Sequence, residues 1–399
     1  MQQHTAAMAQ ESQPPPPRAR PRLLYVVSED WYFVSHRLPM ARAARKAGFE
    51  VHVATRVTNC GPAIEREGLV LHAIPFARGG INPAGMLSTI RALRKLHRKL
   101  QPAIVHHVAL QPCVLGSFAA LGFSAARVNA ITGLGYTFTS NSWKARSVRR
   151  AISGVLRYLM NRQGTVVLLQ NPDDRAMLKS AGISEKRMVL IPGSGVDIDY
   201  LHPQPEPRGV PTIAFVGRLL EDKGIRTLIE AHLLLRLNGS NVELLIAGTP
   251  DPANPGSISE GEVASWAAEP GIRWLGHVED IAALWARAHV AVLPSRREGL
   301  PKSLLEAAAC GRPMVATDVP GCREIVRSGE NGLLVPVDNP TALAQAIQTL
   351  ISSLELRARY GTAARRLVVE KFAADVIGRS TVDLYGRLFR ARERARAAR

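Results

Sequence analysis

The apolar residues of the chain fall into short runs separated by helical patterns, and these runs form two successive series. The first series is rich in valine, isoleucine and leucine and occupies 22–28, 50–55, 103–108, 126–132 and 165–170. The second series occupies 211–217, 241–248, 272–276, 290–295, 312–317 and 331–337. Runs that are apolar on both faces and alternate with helices are typical of parallel sheets covered by helices. The pattern therefore predicts an α/β protein built from two doubly wound, Rossmann-like domains.

Residues 192–210, which separate the two series, are rich in glycine and proline and show no periodicity, so we expect a hinge there. An N-terminal domain is expected over 21–191, a second domain over 211–371 and a basic C-terminal helix over 372–399. The proline-rich leader, 1–20, lacks the apolar core of a secretory signal and is expected to be disordered. Two such domains face each other across a cleft, with ligands at the carboxyl ends of their strands.

The segment 298–313, EGLPKSLLEAAACGRP, places one carboxylate just before a predicted helix and another inside it. Pro301 suits the first helical position, and Gly311 suits a C-terminal stop. Glu298 then lies in the loop after a strand, and Glu306 lies in the second helical turn. Carboxylates accept hydrogen bonds from sugar hydroxyls, whereas free backbone N–H groups at a helix start bind phosphate or sugar oxygens. The donor-binding candidates at this helix start are Gly299, Leu300, Lys302 and Ser303.

The segment 217–224, GRLLEDKG, supplies positive charge at the end of the first strand of the second series. Arg218 can bind phosphate oxygens through a paired fork, and Lys223 can act as a point charge. Any one of these charges could equally form an ordinary surface ion pair. Their shared position at strand ends instead predicts that they converge with Glu298 and Glu306 on one ligand. That ligand has hydroxyls at both ends and phosphates between them.

These segments resemble the family 4 glycosyltransferases, which are retaining enzymes of the GT-B fold. The resemblance rests on GRLLEDKG, on LIAG at 245–248, on LGHVED at 275–280, on GSGVD at 193–197 and above all on 295–326. It implies transfer of a hexose or N-acetylhexosamine from a nucleoside diphosphate, with UDP favoured by its frequency in the family. It also implies a front-face substitution in which the leaving phosphate takes the acceptor proton.

By this resemblance, Arg218 and Lys223 hold the donor diphosphate. Glu298 contacts hydroxyls of the transferred sugar, and Glu306 contacts the ribose. The candidate catalytic residues are Arg218, Lys223 and Glu298, together with one histidine.

Two further parts of the donor site follow from the resemblance. Backbone near Gly248 and Gly276 is expected to face the base. The family places a histidine beside the donor sugar at the end of its fourth strand, where this chain has VHHV at 105–108. His106 and His107 are both candidates, with His107 favoured, and the alternative is a histidine packed at a strand end.

The segment after the first strand departs from the family pattern. Many members carry a Gly-Gly turn there, whereas 28–39 reads SEDWYFVSHRLP and contains no glycine. We therefore expect this loop to shape the acceptor pocket. Its acceptor candidates are Trp31, His36 and Arg37. A second segment, ITGLGYTF, contains Gly133 and Gly135, which are either acceptor contacts or tight-turn glycines.

Charge is distributed unevenly in this basic chain, whose net charge is +18. No acidic side chain lies between Glu67 and Asp173, and such a one-sided field attracts a nucleic acid or an anionic membrane surface. The segment 142–164 is amphipathic and suited to an anionic leaflet, although packing against the first sheet needs the same apolar stripe. The hypothesis is a peripheral enzyme at the cytoplasmic face of the plasma membrane. Its acceptor is a polyprenyl-diphosphate-linked sugar in surface polysaccharide biosynthesis.

Other classes of function fit the sequence less well. A nucleic-acid-binding protein usually interleaves aromatic residues with its basic stretches, and this chain does not. A nucleotide-sugar epimerase or a phosphorylase on the same two-domain frame remains an alternative. Neither a metal nor a cofactor is expected, because the Asp-x-Asp pattern of Asp197 and Asp199 lies in the hinge. Four cysteines without a framework spacing indicate a reducing, cytosolic compartment, and the oligomeric state is open.

Overall fold

The computed structural model describes residues 20–77, 82–133 and 143–398, and for 143–151 it describes the backbone only. Its N-terminal domain contains a seven-stranded sheet in the order β3-β2-β1-β4-β5-β6-β7, and every strand pairing in this sheet is parallel. The strands are β1 Arg22–Glu29, β2 Glu50–Arg56, β3 Val70–Ala73, β4 Ile104–Val108, β5 Ala126–Ala130, β6 Thr165–Leu169 and β7 Met188–Leu190. The helices are α1 Asp30–His36, α2 Leu38–Lys46, α3 Gly61–Arg66, α4 Pro83–Leu100, α5 Leu110–Ala119, α6 Trp143–Met160 and α7 Pro172–Ser180.

The second domain contains a six-stranded sheet in the order β10-β9-β8-β11-β12-β13, again with parallel pairings. Its strands are β8 Thr212–Val216, β9 Glu243–Ala247, β10 Ile272–Gly276, β11 Val290–Leu293, β12 Met314–Thr317 and β13 Gly332–Val335. The helices are α8 Ile225–Leu237, α9 Glu260–Ala267, α10 Ile281–Ala286, α11 Lys302–Ala309, α12 Pro320–Arg323, α13 Pro340–Ile351, α14 Leu354–Lys371 and α15 Ala374–Ala397. Two doubly wound domains of this kind confirm the predicted α/β fold class.

The structure differs from the prediction in three elements. Strands β3 and β7 were not predicted, because each is short and only partly buried. The segment expected to be a loop after β1 instead forms helix α1, which ends at His36, and Arg37 separates it from α2.

The last helix, α15, belongs by its packing to the first domain. Ile377, Leu384 and Tyr385 are buried in the apolar core that also contains residues of β1 and α2. The Tyr385 hydroxyl shares a hydrogen bond of 2.7 Å with the Tyr25 hydroxyl. The chain therefore returns from the second domain to complete the core of the first.

Two connections between the domains run side by side. The backbone N–H of Val196 donates to the carbonyl of Phe372 at 3.0 Å, and the N–H of Ala374 donates to the carbonyl of Val196 at 2.9 Å. Gly195 is the close neighbour of this pairing, since an added Cβ there would lie 2.7 Å from the Cα of Ala374. The predicted hinge thus contains a short backbone pairing between both connections.

Helix α6 packs through its described apolar residues rather than exposing them. Leu156, Leu159 and Met160 are buried in a core cluster with residues of β6 and α7. The C-terminal half of the helix therefore packs against the first domain, as the alternative to membrane binding predicted. The side chains at 143–151 lie outside the described residues. Across the described ranges, no helix has the length and apolar character needed to cross a membrane.

Candidate donor site between the two domains

The turn after β8 places Lys223 against the loop after β11. Residues Glu221–Lys223 form one turn of 3-10 helix, and Gly224 closes it with a φ of +67°. An added Cβ at Gly224 would lie 2.0 Å from the carbonyl oxygen of Pro294, so this close approach requires glycine. Lys223 is thereby held beside the loop that carries Glu298.

Lys223 and Glu298 form a half-buried ion pair. The Lys223 Nζ lies 2.5 Å from Glu298 Oε1, and the Ser295 hydroxyl donates to the same oxygen at 2.7 Å. The Glu298 side chain is only 9% exposed and that of Lys223 is 23% exposed. Two donors on one carboxylate oxygen fix its direction and leave the second oxygen available to a ligand hydroxyl.

A second pair of opposite charges lies on helix α11. Lys302 Nζ is 3.0 Å from Glu306 Oε1, one turn further along, and it also reaches the Ser35 hydroxyl of the first domain at 3.4 Å. The helix begins one residue later than predicted, since Pro301 is its N-cap with an extended backbone. It ends as predicted, with Gly311 just beyond it at a φ of +71°.

The two domains touch at the start of this helix. The Asn171 side chain donates to the carbonyl of Gly299 at 3.1 Å. An added Cβ at Gly299 would lie 2.2 Å from the carbonyl oxygen of Thr132, at the end of β5. The carboxyl edges of the two sheets therefore meet here, and the absence of a side chain at Gly299 permits the contact.

A cavity of about 570 Å³ lies between the domains beside these contacts. Its volume is in the range of small-molecule sites in proteins. The sequence-predicted donor residues that line it are Arg218, Gly248, Lys302 and Glu306, and Ser35 lines it from the first domain. Cations, a carboxylate and a helix start are thus gathered at one opening.

Arg218 links the two walls of the cavity. Its guanidinium forms an ion pair of 3.0 Å with Asp251 and lies 5.7 Å from the centre of the Trp31 ring, which belongs to α1. A guanidinium over an indole face is a favourable cation–π arrangement. Trp31 therefore reaches the donor side of the cleft, although it was predicted as an acceptor residue.

The two glycines predicted to face the base occupy adjacent strand ends. Gly248 follows β9 with a φ of +144°, and an added Cβ would lie 1.8 Å from the carbonyl oxygen of Gly217. Its N–H donates to the carbonyl of Gly276, at the end of β10, at 2.7 Å. The Trp274 indole N–H donates to the carbonyl of Gly248 at 2.8 Å. The floor of the cavity is therefore backbone held in a fixed shape.

His36 faces the same cations from the first domain. Its ring stacks on that of Tyr32 with centroids 4.2 Å apart. Burial, together with the nearby charges of Lys302, Arg37 and Lys223, lowers the pKa of His36 to about 3. The imidazole is therefore neutral near pH 7, and its Nδ1 is buried without a hydrogen-bond partner in the described part of the chain.

Arg37 does not reach the acceptor side, which corrects its predicted role. Its side chain is fully buried, and its Nη1 donates to the carbonyl of Gly193 at 2.5 Å. Arg37 is the N-cap of helix α2, and its side chain points into the interior toward the hinge backbone. It therefore ties α2 to the connection between the domains.

The placement of His107 beside the donor sugar is also corrected. Both histidines of β4 are fully buried, His107 Nδ1–H donating to Asn129 Oδ1 at 2.7 Å and His106 Nδ1 lying 2.5 Å from the Tyr385 hydroxyl. Strand β4 is central, with α5 on one face and α15 on the other, so consecutive residues are covered whichever way they point. Neither imidazole faces the cleft.

The remaining predictions concern the two glycines of the segment 131–138 and the Asp-x-Asp pattern of the hinge. Gly133 follows β5 with a φ of +145°, a backbone conformation that glycine adopts more readily than other residues, which favours the turn interpretation. Gly135 lies outside the described residues. Asp197 accepts hydrogen bonds from the backbone N–H groups of Asp199 and Tyr200, so the Asp-x-Asp pattern forms a local turn.

Sequence reasoning missed three residues of the site. Ser295 orients Glu298, Asn171 bonds the Gly299 carbonyl, and Asp251 pairs with Arg218. Ser295 could have been found from its place directly before the Glu298 loop. Asn171 comes from the other domain, and no pattern in the sequence pairs it with Gly299. Among the described residues, no group of three or more histidine, cysteine or acidic side chains is placed to hold a metal ion.

Two Rossmann-like domains that close on a cavity with cations, a helix start and carboxylates at their strand ends define a GT-B glycosyltransferase. Comparison with known families agrees with this class. The family model "Glycosyl transferase 4-like" matches residues 22–171, and the model "Glycosyl transferases group 1" matches residues 210–353. The two models together cover both domains, so the chain belongs to the glycosyltransferases that these group 1 and family 4-like models describe.

Two curated relatives resemble the chain over most of its length. One is the N,N'-diacetylbacillosaminyl-diphospho-undecaprenol alpha-1,3-N-acetylgalactosaminyltransferase of Campylobacter jejuni, 24% identical over 89% of this chain and 95% of the relative. The other is the capsular polysaccharide biosynthesis glycosyltransferase CapM of Staphylococcus aureus, 25% identical over 90% of this chain and 97% of the relative. Both relatives are bacterial glycosyltransferases.

Solved structures share the fold. A sucrose-phosphate synthase of Thermosynechococcus elongatus superposes with a TM-score of 0.79 at 22% identity, covering 93% of this chain and all of the other. The HepE protein of Anabaena, solved with UDP and glucose, superposes with a TM-score of 0.73 at 18% identity over 91% of this chain and 99% of the other. These likenesses are of architecture, and they agree with the two-domain fold.

Proposed function

We propose that this chain is a retaining glycosyltransferase that moves a hexose or N-acetylhexosamine from a nucleoside-diphosphate sugar, with UDP as the favoured carrier. The observation that carries the proposal is that Arg218 and one lysine–glutamate pair line the cavity between the domains, while a second such pair lies beside it, since the lysines of both pairs act on the charge of His36. The two pairs are Lys223 with Glu298 and Lys302 with Glu306. Their charges match a ligand with a central diphosphate and hydroxyls at both ends.

The positive charges act on the leaving group. In the transfer, the bond between the anomeric carbon and the diphosphate oxygen breaks, and its electrons leave with the diphosphate. Lys223, Arg218 and the start of helix α11 stabilise the negative charge that develops there. The acceptor oxygen bonds to the same face of the anomeric carbon, and its proton passes to the departing phosphate oxygen. No protein base is required for this proton transfer.

The carboxylates position the substrate. Glu298, oriented by Lys223 and Ser295, accepts hydrogen bonds from hydroxyls of the transferred sugar. Glu306 accepts from the ribose, with Lys302 between it and the diphosphate. His36, neutral near pH 7 and partly exposed beside Lys302, is the proposed acceptor contact of the first domain.

The proposed acceptor is a polyprenyl-diphosphate-linked sugar in surface polysaccharide biosynthesis, at the cytoplasmic face of the plasma membrane. The printed names of the two relatives support this choice, since one acts on a diphospho-undecaprenol-linked sugar and the other in capsule biosynthesis. The net charge of +18 is also compatible with an anionic leaflet.

A thermal-shift screen of nucleotide sugars tests the donor half. A donor that binds the folded state raises its melting temperature in proportion to the logarithm of its concentration over Kd. We expect UDP and at least one UDP-sugar to stabilise the protein. A screen in which no nucleotide sugar shifts the transition contradicts the donor assignment.

Substitution Lys223→Ala is expected to lower kcat/KM by about 100–1,000-fold, because it removes a preorganised charge at the leaving diphosphate. The measurement is release of UDP together with formation of the glycosylated acceptor. The matched control is Lys179→Ala, which breaks an exposed ion pair with Glu185, and neither residue lines the cavity between the domains. Transfer by Lys223→Ala at the rate of this control would exclude the assigned role.

The acceptor half is tested by comparing a polyprenyl-diphosphate-linked sugar with the same sugar free in solution. The lipid-linked acceptor is expected to give the higher kcat/KM. UDP release should depend on the acceptor, whereas an epimerase turns over its substrate without one. Equal use of both acceptors would overturn the lipid-linked assignment and leave the donor assignment standing.

A further inference from the structure

A second cavity lies at the opposite edge of the first domain from the cleft. Its volume is about 490 Å³. The walls are the loop that leads into β5, the turn between α6 and β6, and the C-terminal half of α15. The N-terminal ends of the strands meet at this edge, so the cavity is separated from the donor site by the length of the sheet. We name it the rear cavity.

Four arginines line the rear cavity. They are Arg127, Arg162, Arg392 and Arg396. Arg187 is close by, since burial lowers the pKa of Arg127 and the charges of Arg162 and Arg187 add to this shift. Like charges gathered in this way repel each other, and an anion between them would relieve the repulsion.

Arg127 is the most buried of these arginines. It is 8% exposed, and one of its Nη groups donates to the carbonyl of Gln163 at 2.7 Å. Its Nε is buried and has no hydrogen-bond partner among the described residues. Guanidinium groups are rarely buried without a full set of acceptors, and an unmade hydrogen bond there costs free energy. Arg127 therefore brings to this cavity wall a buried positive charge that lacks one acceptor among the described residues.

The neighbouring carboxylates do not neutralise the cluster. Arg392 and Arg396 share Glu393, at 3.0 Å and 3.8 Å, and Arg392 also donates to the carbonyl of Ser124 at 3.1 Å. In the described part of the chain, Arg127 and Arg162 have no carboxylate within ion-pair distance. The cavity therefore carries an excess of positive charge.

The other walls are apolar. Phe123, Ala125, Leu388, Ala391 and Ala395 provide them, so the arginines surround a hydrocarbon surface rather than an open solvent channel. Arginine forks suit the oxygens of phosphate groups, and apolar walls suit the organic part of a phosphate ester.

We propose that the rear cavity is a second anion-binding site, distinct from the donor cleft, that binds the phosphate group of a phosphate ester. The ester is either the headgroup of an anionic phospholipid or a soluble phosphorylated molecule. The site does not depend on the identity of the donor or the acceptor in the cleft.

The test uses the full chain and two pairs of probes. One pair is inorganic pyrophosphate, titrated calorimetrically, and its sulfate control. The other pair is vesicles containing phosphatidylglycerol and vesicles of phosphatidylcholine alone, followed by co-sedimentation. The main variant is Arg162→Gln with Arg396→Gln, because both side chains are exposed and their loss leaves the core intact. The control is Arg387→Gln, which removes an exposed charge on α15 outside the cavity lining.

The double variant is expected to weaken the binding of one probe by about tenfold or more, while the control binds as the wild type does. Loss of vesicle binding identifies a lipid headgroup as the source of the phosphate. Loss of one class of pyrophosphate sites, with vesicles never bound, identifies a soluble ester. A Lys223→Ala variant separates the two sites. Pyrophosphate binding in the cleft should be lost in Lys223→Ala and retained in the double variant, whereas binding in the rear cavity should show the opposite pattern. If the double variant and the control bind both probes alike, the rear site does not exist.

Discussion

His106 and His107 show how burial decides the chemistry of a residue. Each imidazole has one ring nitrogen bonded and the other buried without a partner among the described residues. Burial lowers the pKa of His107 to about 3, although the hydrogen bond to Asn129 opposes the shift. In the unfolded chain the same group has a pKa of 6.5. The native state therefore takes up no proton over a range where the unfolded state does, and the histidine acts on stability rather than on the substrate.

The free energy of unfolding should consequently fall as the pH is lowered. The contribution of His107 is fully present above pH 6.5 and is lost progressively between pH 6.5 and about 3. At about pH 5 the loss is about 2 kcal/mol relative to neutral pH. Denaturant unfolding of the wild type and His107→Gln at both pH values measures it, and the variant should show the shallower dependence. His202→Gln, at an exposed position, is the matched control and should behave as the wild type. Identical pH dependence in wild type and His107→Gln would contradict the assignment.

At the scale of elements, the long buried strands could be predicted, whereas the short strands β3 and β7 and the helices that cover each strand could not. Runs such as 22–28 and 290–295 are apolar on both faces, which is the pattern of a central parallel strand. This pattern does not indicate which helix packs against each face of a strand. The segment VHHV therefore could not show that helices cover both faces of β4. The turn that holds Lys223 and the loop that holds Glu298 could be predicted from charges placed at strand ends. Their contacts with Thr132 and Asn171 could not, because these join distant segments.

The loop before helix α11 is expected to tolerate no side chain at Gly299. Gly299→Ala would place a Cβ against the carbonyl of Thr132 and hold the two domains apart at the donor site. We expect kcat/KM to fall by about 100-fold, because small displacements of reacting groups cost this much. The stability of each domain should change little, since the contact lies between domains. Kinetics, together with the radius of gyration from solution scattering, measures the effect.

The matched control for this variant is Gly261→Ala on helix α9, where an added Cβ has open space. It should retain activity and gain slight stability, because alanine favours a helix more than glycine does. Unchanged kinetics in Gly299→Ala would show that the domains meet differently when the donor is bound.

On the scale of the whole molecule, the chain builds its first domain from both of its ends. Helix α15 follows the second domain in sequence, yet its apolar residues complete the core beneath β1 and β4. The sequence predicted a basic C-terminal helix, and its net positive charge gave no sign of this packing. Its apolar positions are spaced along one face, which fits a core helix as well as a surface one.

Truncation of Leu384, which is 2% exposed in α15, should therefore destabilise the first domain. Leu384→Ala is expected to cost about 2–5 kcal/mol, as for other buried leucines. Leu237→Ala removes the same atoms at a position that is 82% exposed, and its cost should stay within about 0.5 kcal/mol. Chemical denaturation followed by tryptophan fluorescence measures both. A similar small cost for the two variants would show that α15 is not part of the folded core.

The paired connections at Val196 and Ala373 restrict how the enzyme opens. Two strands bonded edge to edge bend together far more readily than they slide or twist past each other. We therefore expect any opening of the cleft to occur as a rotation of the two domains about an axis near this pairing. Product departure and donor entry would then share one trajectory, and a larger residue at Gly195, whose added Cβ would lie 2.7 Å from the Cα of Ala374, is expected to hinder that motion.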